Sequence, residues 1–177
     1  NLNMDFVRPF GPPIGIVQMP NGLVNEINDY IDGLSREKTE KLDHGKSLAG
    51  NVNKEILLEK SIVEKNWLPF ISKTAQVYVE LHYKKEIKEF HLIKTWVVRQ
   101  FKNEYNPIHW HTGHLSGVAY LKVPKNMGNY VQKNKDESDN KNGQLVFSHG
   151  AKMFLANSVM HVKPEVGKFI IFPHYMM

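Results

Sequence analysis

Three histidines, His109, His111 and His114, lie within six residues and are followed directly by an apolar segment typical of a β-strand. Side chains alternate across an extended strand, so His109 and His111 point to the same face if the backbone is extended there. Two imidazole nitrogens on one face can bind one transition-metal ion, for which imidazole is the commonest ligand. The alternative is that all three are ordinary histidines that hydrogen-bond to the backbone or to solvent.

The rest of the sequence limits which groups could complete such a metal site. The chain contains no cysteine, which excludes disulfides, thiolate metal sites and cysteine nucleophiles and leaves His, Asp and Glu as ligands. A catalytic metal needs a third ligand and open coordination positions. The chain positions of His161 and His174 make them candidates for the third ligand, and neither spacing decides between them.

Length and composition indicate one globular domain. The chain has 177 residues, of which 41% are hydrophobic and 23% charged, enough for a sizeable core. It has neither an apolar run long enough to cross a membrane nor a signal peptide, so we expect a soluble, cytoplasmic protein with no membrane partner. The net charge of +5 is mildly positive, but lysines are interspersed with acids. This mixture indicates a solvated surface and makes a nucleic-acid partner unlikely without excluding it.

Apolar spacing predicts helices in the first half of the chain. One helix should begin at Asn21 and end near Gly33, and a second should run from Ser61 to Leu81, with Pro69 as a kink or in its first turn. Residues 35–56 are polar and contain glycines, so they predict a long connection.

Residues after about 89 have strand character, in addition to a short edge strand predicted at residues 14–17. Further strands are predicted within residues 91–102, 117–123, 144–147, 152–155 and 168–172. The polar segment from Lys125 to Asn142 predicts a flexible loop near the site that shapes substrate access. Helices followed by short strands favour an α+β fold with an antiparallel sandwich or barrel in the C-terminal half.

The residues around the histidines resemble the Fe(II)- and 2-oxoglutarate-dependent oxygenases. The resemblance is closest to a prolyl-4-hydroxylase-like branch common in phage and marine-bacterial genomes, in which a His-x-His pair precedes Ser-Gly-Val-x-Tyr. The segments that carry it are Trp96, 104–111, 115–124 and 162–173 and, more loosely, Leu48–Gly50 with Glu55.

This resemblance implies a double-stranded β-helix, which is a jelly-roll barrel, with the N-terminal helices packed outside it. The chain would be a single oxygenase-like domain, with a helical part over about 1–88 and a jelly-roll part over about 89–177. The implied reaction couples decarboxylation of the cosubstrate 2-oxoglutarate to hydroxylation of a C–H bond with Fe(II) and dioxygen. A protein or peptide residue such as proline is the suggested substrate.

The resemblance also implies roles for individual residues. His109 matches the first metal histidine, and His111 takes the place usually held by an aspartate, which makes the iron site more positive. His114 then becomes a turn residue or a neighbour of the ligands. Tyr120 matches a tyrosine that helps to hold the distal carboxylate of 2-oxoglutarate, and its alternative interpretation is a core aromatic residue.

The family pattern continues past Met177, the last residue of the sequence. The third metal histidine and a carboxylate-binding arginine are expected just after it, so we expect the sequence to be incomplete at its C-terminus, with His174 as the fallback third ligand. Two other functions remain open at this point. One is a non-catalytic jelly-roll binding or structural module with packed or structural-metal histidines, and the other is a nucleic-acid-modifying oxygenase.

Overall fold

A computed structural model describes residues 2–8, 11–45, 51–52, 54–127 and 141–176 of the protein. The chain divides into two compact units. We call the first the sheet unit (residues 1–24 and 110–177) and the second the helical unit (residues 25–109). Each is described by itself.

The secondary structure within the described residues mixes helices and short strands. The helices are α1 (Asn21–Asp32), α2 (Arg36–Leu42), α3 (Lys60–Ile62) and α4 (Leu68–Tyr83), with a π-helical turn (Val63–Trp67) between the last two. The strands are β1 (Met4–Val7), β2 (Ile14–Gln18), β3 (Lys54–Leu57), β4 (Trp96–Arg99), β5 (Leu115–Ala119), β6 (Leu145–Ser148), β7 (Val159–Val162) and β8 (Lys168–Pro173).

The sheet unit is built around β8. Four antiparallel strands form one sheet in the order β1-β2-β8-β5, and β6 pairs with β7 in a separate antiparallel pair. Strand β8 lies between two neighbours and is buried from Phe169 to Pro173, which agrees with its continuous apolar sequence. Residues of β2, β6, β7 and β8 share one hydrophobic cluster, in which the rings of Phe147 and Phe172 meet edge to face at 4.8 Å. The β6–β7 pair therefore packs against the four-stranded sheet.

The helical unit combines α2, α3, α4 and most of α1 with the antiparallel pair β3–β4. Apolar residues from α1, β3, the π-helical turn and α4 are buried in it, among them Ile27, Ile56, Trp67 and Tyr78. Polar contacts tie these elements together. The Trp67 indole donates to Thr95 at 3.2 Å, and the Arg99 guanidinium donates to the Ile31 carbonyl at 3.0 Å.

Both predicted helices are confirmed. Helix α1 covers the expected residues, and the second helical region runs from Lys60 to Tyr83 with Pro69 in the first turn of α4, where its missing N–H costs least. The long connection predicted at residues 35–56 is wrong in two places. Ser35 caps a short helix by accepting from the Lys38 amide at 3.2 Å, and β3 forms because it pairs with β4.

Most of the predicted strands form, with three differences. The strand at residues 14–17 is confirmed, but β2 lies between β1 and β8 and is not at an edge. The strand predicted at 152–155 is wrong, because Met153 and Ala156 form a tight bridge with Leu155 in the left-handed region at φ 61°. Strands β1 and β7 were not predicted. Most of the loop predicted at Lys125–Asn142 lies outside the described residues, namely residues 128–140.

The combination of helices with antiparallel sheets agrees with the predicted α+β class. The expected jelly-roll is a closed barrel, whereas the described residues form one four-stranded and two two-stranded sheets and show no closed barrel. None of the helices in the described ranges is both long enough and apolar enough to cross a membrane.

Candidate active site

His109 lies at the end of the helical unit in a segment held by a turn and a bridge. Strand β4 is followed by a turn in which Glu104 accepts from the Phe101 amide at 2.8 Å. The chain then pairs with an earlier segment through the Asn51 amide, which donates to the Tyr105 carbonyl at 2.9 Å. The His109 Nδ1 atom lies 2.7 Å from the Pro107 carbonyl oxygen. Since a carbonyl only accepts, Nδ1 carries the proton, and the ring lone pair is on Nε2.

The helical unit also contains a buried carboxylate. The Glu55 side chain, on β3, is only 2% exposed. Burial raises the pKa of Glu55, and the charge of Asp43 raises it further, whereas a hydrogen bond from Trp96 and the charge of His109 lower it.

His111, His114 and His174 come together at one end of the sheet in the sheet unit. The β5–β8 pairing ends at Leu115 opposite Pro173, and backbone hydrogen bonds continue past it. The His174 amide donates to the His114 carbonyl at 3.1 Å, and the His111 amide donates to the His174 carbonyl at 3.2 Å. The sheet therefore places the backbones of all three histidines side by side.

The rings at this end of the sheet are positioned by different contacts. The His174 Nδ1 atom lies 3.3 Å from the His114 carbonyl oxygen, so it too carries the ring proton and leaves the lone pair on Nε2. The His111 ring stands edge to face against Phe172 with 6.3 Å between centroids. His114 is exposed. The imidazole of His174 is thus in the tautomer that binds a metal through Nε2.

Tyr120 follows β5 and packs against the hydrophobic cluster of the sheet unit. Its amide donates to the Lys168 carbonyl at 3.0 Å, and its carbonyl accepts from the Gly167 amide at 2.7 Å. Burial raises the pKa of the Tyr120 hydroxyl from its ordinary value of 10.0 to about 12. The hydroxyl is protonated at neutral pH at either value and can donate a hydrogen bond to a carboxylate. The packing agrees with a core aromatic residue, and the protonated hydroxyl agrees with a ligand contact.

His161, the other candidate for a third ligand, is on β7. It pairs with Val146 of β6, and its side chain is exposed. Another histidine of the same unit, His149, lies near Tyr175, with 6.1 Å between ring centroids. Sequence position alone did not separate His161 from His174, whereas the sheet brings only His174 beside the backbones of His111 and His114.

The described histidines meet only part of what a metal site requires. His109 and His174 each have a ring proton fixed on a backbone carbonyl, the arrangement common for metal-bound histidine. Within the described ranges, however, no group of three or more His, Asp or Glu side chains is arranged to hold a metal ion. The expected shared face of His109 and His111 is also not fixed by a strand, because residues 106–111 are not in a strand and β5 begins only at Leu115.

Comparison with known protein families gives one match. Residues 94–177, slightly less than half of the chain, match the model of a family described as "Putative 2OG-Fe(II) oxygenase". The match supports the 2OG-Fe(II) oxygenase family in general. This family's name implies Fe(II) as the metal and 2-oxoglutarate and dioxygen as cosubstrates, and the matched range contains every histidine from His109 to His174. No curated protein and no solved structure matches the chain.

For two carboxylates of the helical unit, Glu55 and Asp43, no role was predicted from the sequence. Glu55 belongs only to the looser part of the family resemblance, and Asp43 lies in the segment predicted as a connection. One sequence feature could have indicated a special role for Glu55. It directly precedes Ile56 and Leu57, and an acid within a short apolar strand is unusual. Its burial depends on the pairing of β3 with β4, which was not predicted.

Proposed function

We propose that the protein is an Fe(II)- and 2-oxoglutarate-dependent dioxygenase that hydroxylates a C–H bond. The observation that carries this proposal is the family match over residues 94–177. When bound, iron would supply the activation of dioxygen that amino-acid side chains cannot provide. The protein residues would hold the metal, bind the cosubstrate and exclude water.

In this proposal His109 and His111 supply two of the metal ligands. His109 is suited to this role because Pro107 fixes its tautomer with the lone pair on Nε2. The third ligand would follow Met177, as in the family pattern, or would be His174, which the sheet holds beside His111 through the backbone.

We propose that Tyr120 donates its hydroxyl hydrogen bond to the distal carboxylate of 2-oxoglutarate, with an arginine beyond Met177 as the charge partner. The support for this role is the sequence resemblance, and a tyrosine hydroxyl, protonated at neutral pH, can donate such a hydrogen bond. The segment Lys125–Asn142 would form a loop that controls substrate access.

The finer features of the proposal follow the sequence resemblance. We infer a single oxygenase-like domain over residues 1–177 with a jelly-roll barrel and outer helices. We place it in the prolyl-4-hydroxylase-like branch common in phage and marine-bacterial genomes and infer a cytoplasmic location. The proposed substrate is a protein or peptide residue, with proline as the first to test.

The test is the formation of succinate from 2-oxoglutarate by the purified protein with Fe(II) and air. We expect His109→Ala to abolish succinate formation because it removes a metal ligand. The matched control is His161→Ala, which removes an exposed histidine of the β6–β7 pair and should leave turnover unchanged. Turnover at the wild-type rate by His109→Ala would show that the assignment is wrong.

Thermal stability separates this function from its two alternatives. Binding of 2-oxoglutarate with Mn(II) should raise the melting temperature of an oxygenase, since a ligand of the native state stabilises it. A non-catalytic binding module should show no such rise. A nucleic-acid-modifying oxygenase should instead add salt-dependent binding of oligonucleotides, which the proposed peptide hydroxylase should lack.

A further inference from the structure

The connection between β6 and β7 carries three exposed apolar residues in succession. Met153, Phe154 and Leu155 are 69%, 91% and 92% exposed, and we call these three residues the apolar tip. All residues from 150 to 157 are exposed, so this part of the connection stands away from the packed core of the sheet unit. Single exposed apolar side chains are common on proteins, whereas a contiguous exposed group marks a surface that binds a partner or a membrane.

Backbone hydrogen bonds hold this connection as a hairpin. At its base the His149 amide donates to the Ser158 carbonyl at 2.9 Å. Near its end Met153 and Ala156 exchange two backbone hydrogen bonds, of 3.2 and 3.1 Å, and the two residues between them form the turn. Leu155 in this turn has φ 61°, in the left-handed region that a bulky residue enters only at a cost. Backbone strain and exposed apolar surface therefore occur at the same place, which points to a function of the tip.

The shape of the apolar tip favours a fluid apolar environment over a protein pocket. Successive side chains alternate in direction along the backbone, so three neighbouring residues at a turn cannot all lie on one face. Their high exposure agrees with this, because each of the three is accessible over most of its surface. A protein partner would have to enclose the tip on several sides, whereas the interfacial region of a bilayer surrounds an inserted apolar group without matching its shape.

The part of the chain that carries the apolar tip is positively charged. Residues 141–164 contain the three lysines Lys141, Lys152 and Lys163 and no aspartate or glutamate. All three lysines are exposed, and Lys152 directly precedes the tip. Two copies of this hairpin would bring like charges together, which disfavours self-association through it. Anionic lipid headgroups, in contrast, attract lysines that lie close to a membrane surface.

We propose that the apolar tip inserts into the interfacial region of a membrane that contains anionic lipids, with Lys152 at the level of the headgroups. Such a contact is peripheral and needs no membrane-spanning segment. The expectation of no membrane partner considered only spanning segments and signal peptides, and this proposal departs from it. The proposal is independent of the proposed oxygenase function, because binding of lipid needs neither a metal nor 2-oxoglutarate.

The test is flotation of the purified protein with vesicles of phosphatidylcholine, either alone or with about 30% phosphatidylserine to give a negative surface potential. We expect binding to the mixed vesicles that weakens as salt is added, and weaker binding to phosphatidylcholine alone. Burial of one large apolar side chain favours transfer from water by about tenfold or more. The double variant Phe154→Ser with Leu155→Asn should therefore need at least about tenfold more lipid for half-maximal binding. Asparagine is chosen because it tolerates the left-handed conformation at position 155.

The matched control is the double variant Ile93→Asn with Phe101→Ser in the helical unit. It removes two apolar side chains that are 68% and 62% exposed, and it should bind the mixed vesicles like the wild type. The charge is tested by Lys152→Ala, which should weaken binding to the mixed vesicles about fivefold. Insertion is measured directly with Phe154→Trp, whose fluorescence should be quenched by brominated phosphatidylcholine more strongly than that of the wild type, which has no tryptophan in the tip.

Loss of vesicle binding in the tip variant, with binding retained in the control, would support the proposal. It is overturned if the wild type does not bind the mixed vesicles or if the tip variant binds them equally well. Equal binding to both kinds of vesicle would overturn the role of the lysines. If sedimentation velocity shows a wild-type dimer that the tip variant converts to a monomer, and vesicles do not bind, the tip is a contact between copies and the lipid assignment is wrong. Should the tip variant not fold, the absence of additional quenching in Phe154→Trp would overturn the insertion.

Discussion

Two neighbouring histidines of one motif are positioned in different ways. His111, in the sheet unit, is held through its backbone by the continuation of the β5–β8 pairing, and its ring stands against the buried Phe172. His109, in the helical unit, is held by its own ring proton, which is donated to the Pro107 carbonyl oxygen. Two residues separated by one position in the sequence therefore need not share a structural support.

The two supports differ in the kind of energy they depend on. The surroundings of His111 depend on apolar packing, because Phe172 belongs to the hydrophobic cluster of the sheet unit. The position of His109 depends on a hydrogen bond from its ring to the Pro107 carbonyl oxygen. Substitutions in the core of the sheet unit should therefore act through lost packing, and thus mainly on stability.

The largest effect is expected from Phe172→Ala. Phe172 is 3% exposed and packs on Phe147, so truncation leaves a cavity and should lower the free energy of unfolding by about 3–5 kcal/mol. Urea denaturation followed by circular dichroism measures it. The control is Phe154→Ala, since Phe154 is 91% exposed and its loss should change stability by no more than about 0.5 kcal/mol. Similar losses in the two variants would contradict the packing support proposed for His111.

The next effect is expected from Gly117→Ala in β5. A Cβ atom there would lie 2.6 Å from the Phe169 ring and 3.2 Å from the Ile170 carbonyl, so ring and strand must shift. We expect a loss of about 1–3 kcal/mol in urea denaturation. Gly22→Ala is the control because a Cβ atom meets nothing within 4 Å there, and in α1 it should stabilise by up to about 1 kcal/mol. Unchanged stability of Gly117→Ala would show that β5 and β8 approach less closely.

Tyr120→Phe should change how stability depends on alkaline pH. The folded-state pKa of Tyr120 is about 12, above the ordinary value of 10.0, so its stabilising contribution is complete below pH 10. It is lost as the pH rises from about 10 to about 12, because the unfolded chain releases this proton first. The difference in unfolding free energy between wild type and Tyr120→Phe should therefore shift in favour of the variant across this range. A constant difference would mean that the hydroxyl is not buried.

The smallest effect is expected from Ser35→Ala, a substitution in the helical unit. Ser35 caps α2, the helix that leads directly to Asp43, and loss of such a cap typically costs about 1 kcal/mol. Thermal denaturation should show a small decrease in stability, and Ser35→Asp should recover it because aspartate also caps a helix. No recovery with aspartate would indicate that the hydroxyl acts through another contact.

Local patterns were enough to predict much of the secondary structure. The apolar spacing of α1 and α4 and the continuous apolar sequence of β8 predict these elements well, because each pattern lies within one element. The short strands β1, β3 and β7 could not be predicted in the same way. Each has only four residues, and each forms because a partner strand pairs with it. The strand predicted at 152–155 does not form, because its apolar residues lie at an exposed turn.

The sequence by itself determined the chemistry available to this protein. With no cysteine and with six of nine histidines after residue 105, only imidazole and carboxylate groups could serve a metal, and the His-x-His segment was the place to expect them. The tertiary structure decided which groups accompany each histidine. Strand pairing brings His174 to His111 across the sheet and buries Glu55 in the helical unit. Such partners come from distant parts of the chain, where contact depends on pairing and burial and leaves no local pattern in the sequence.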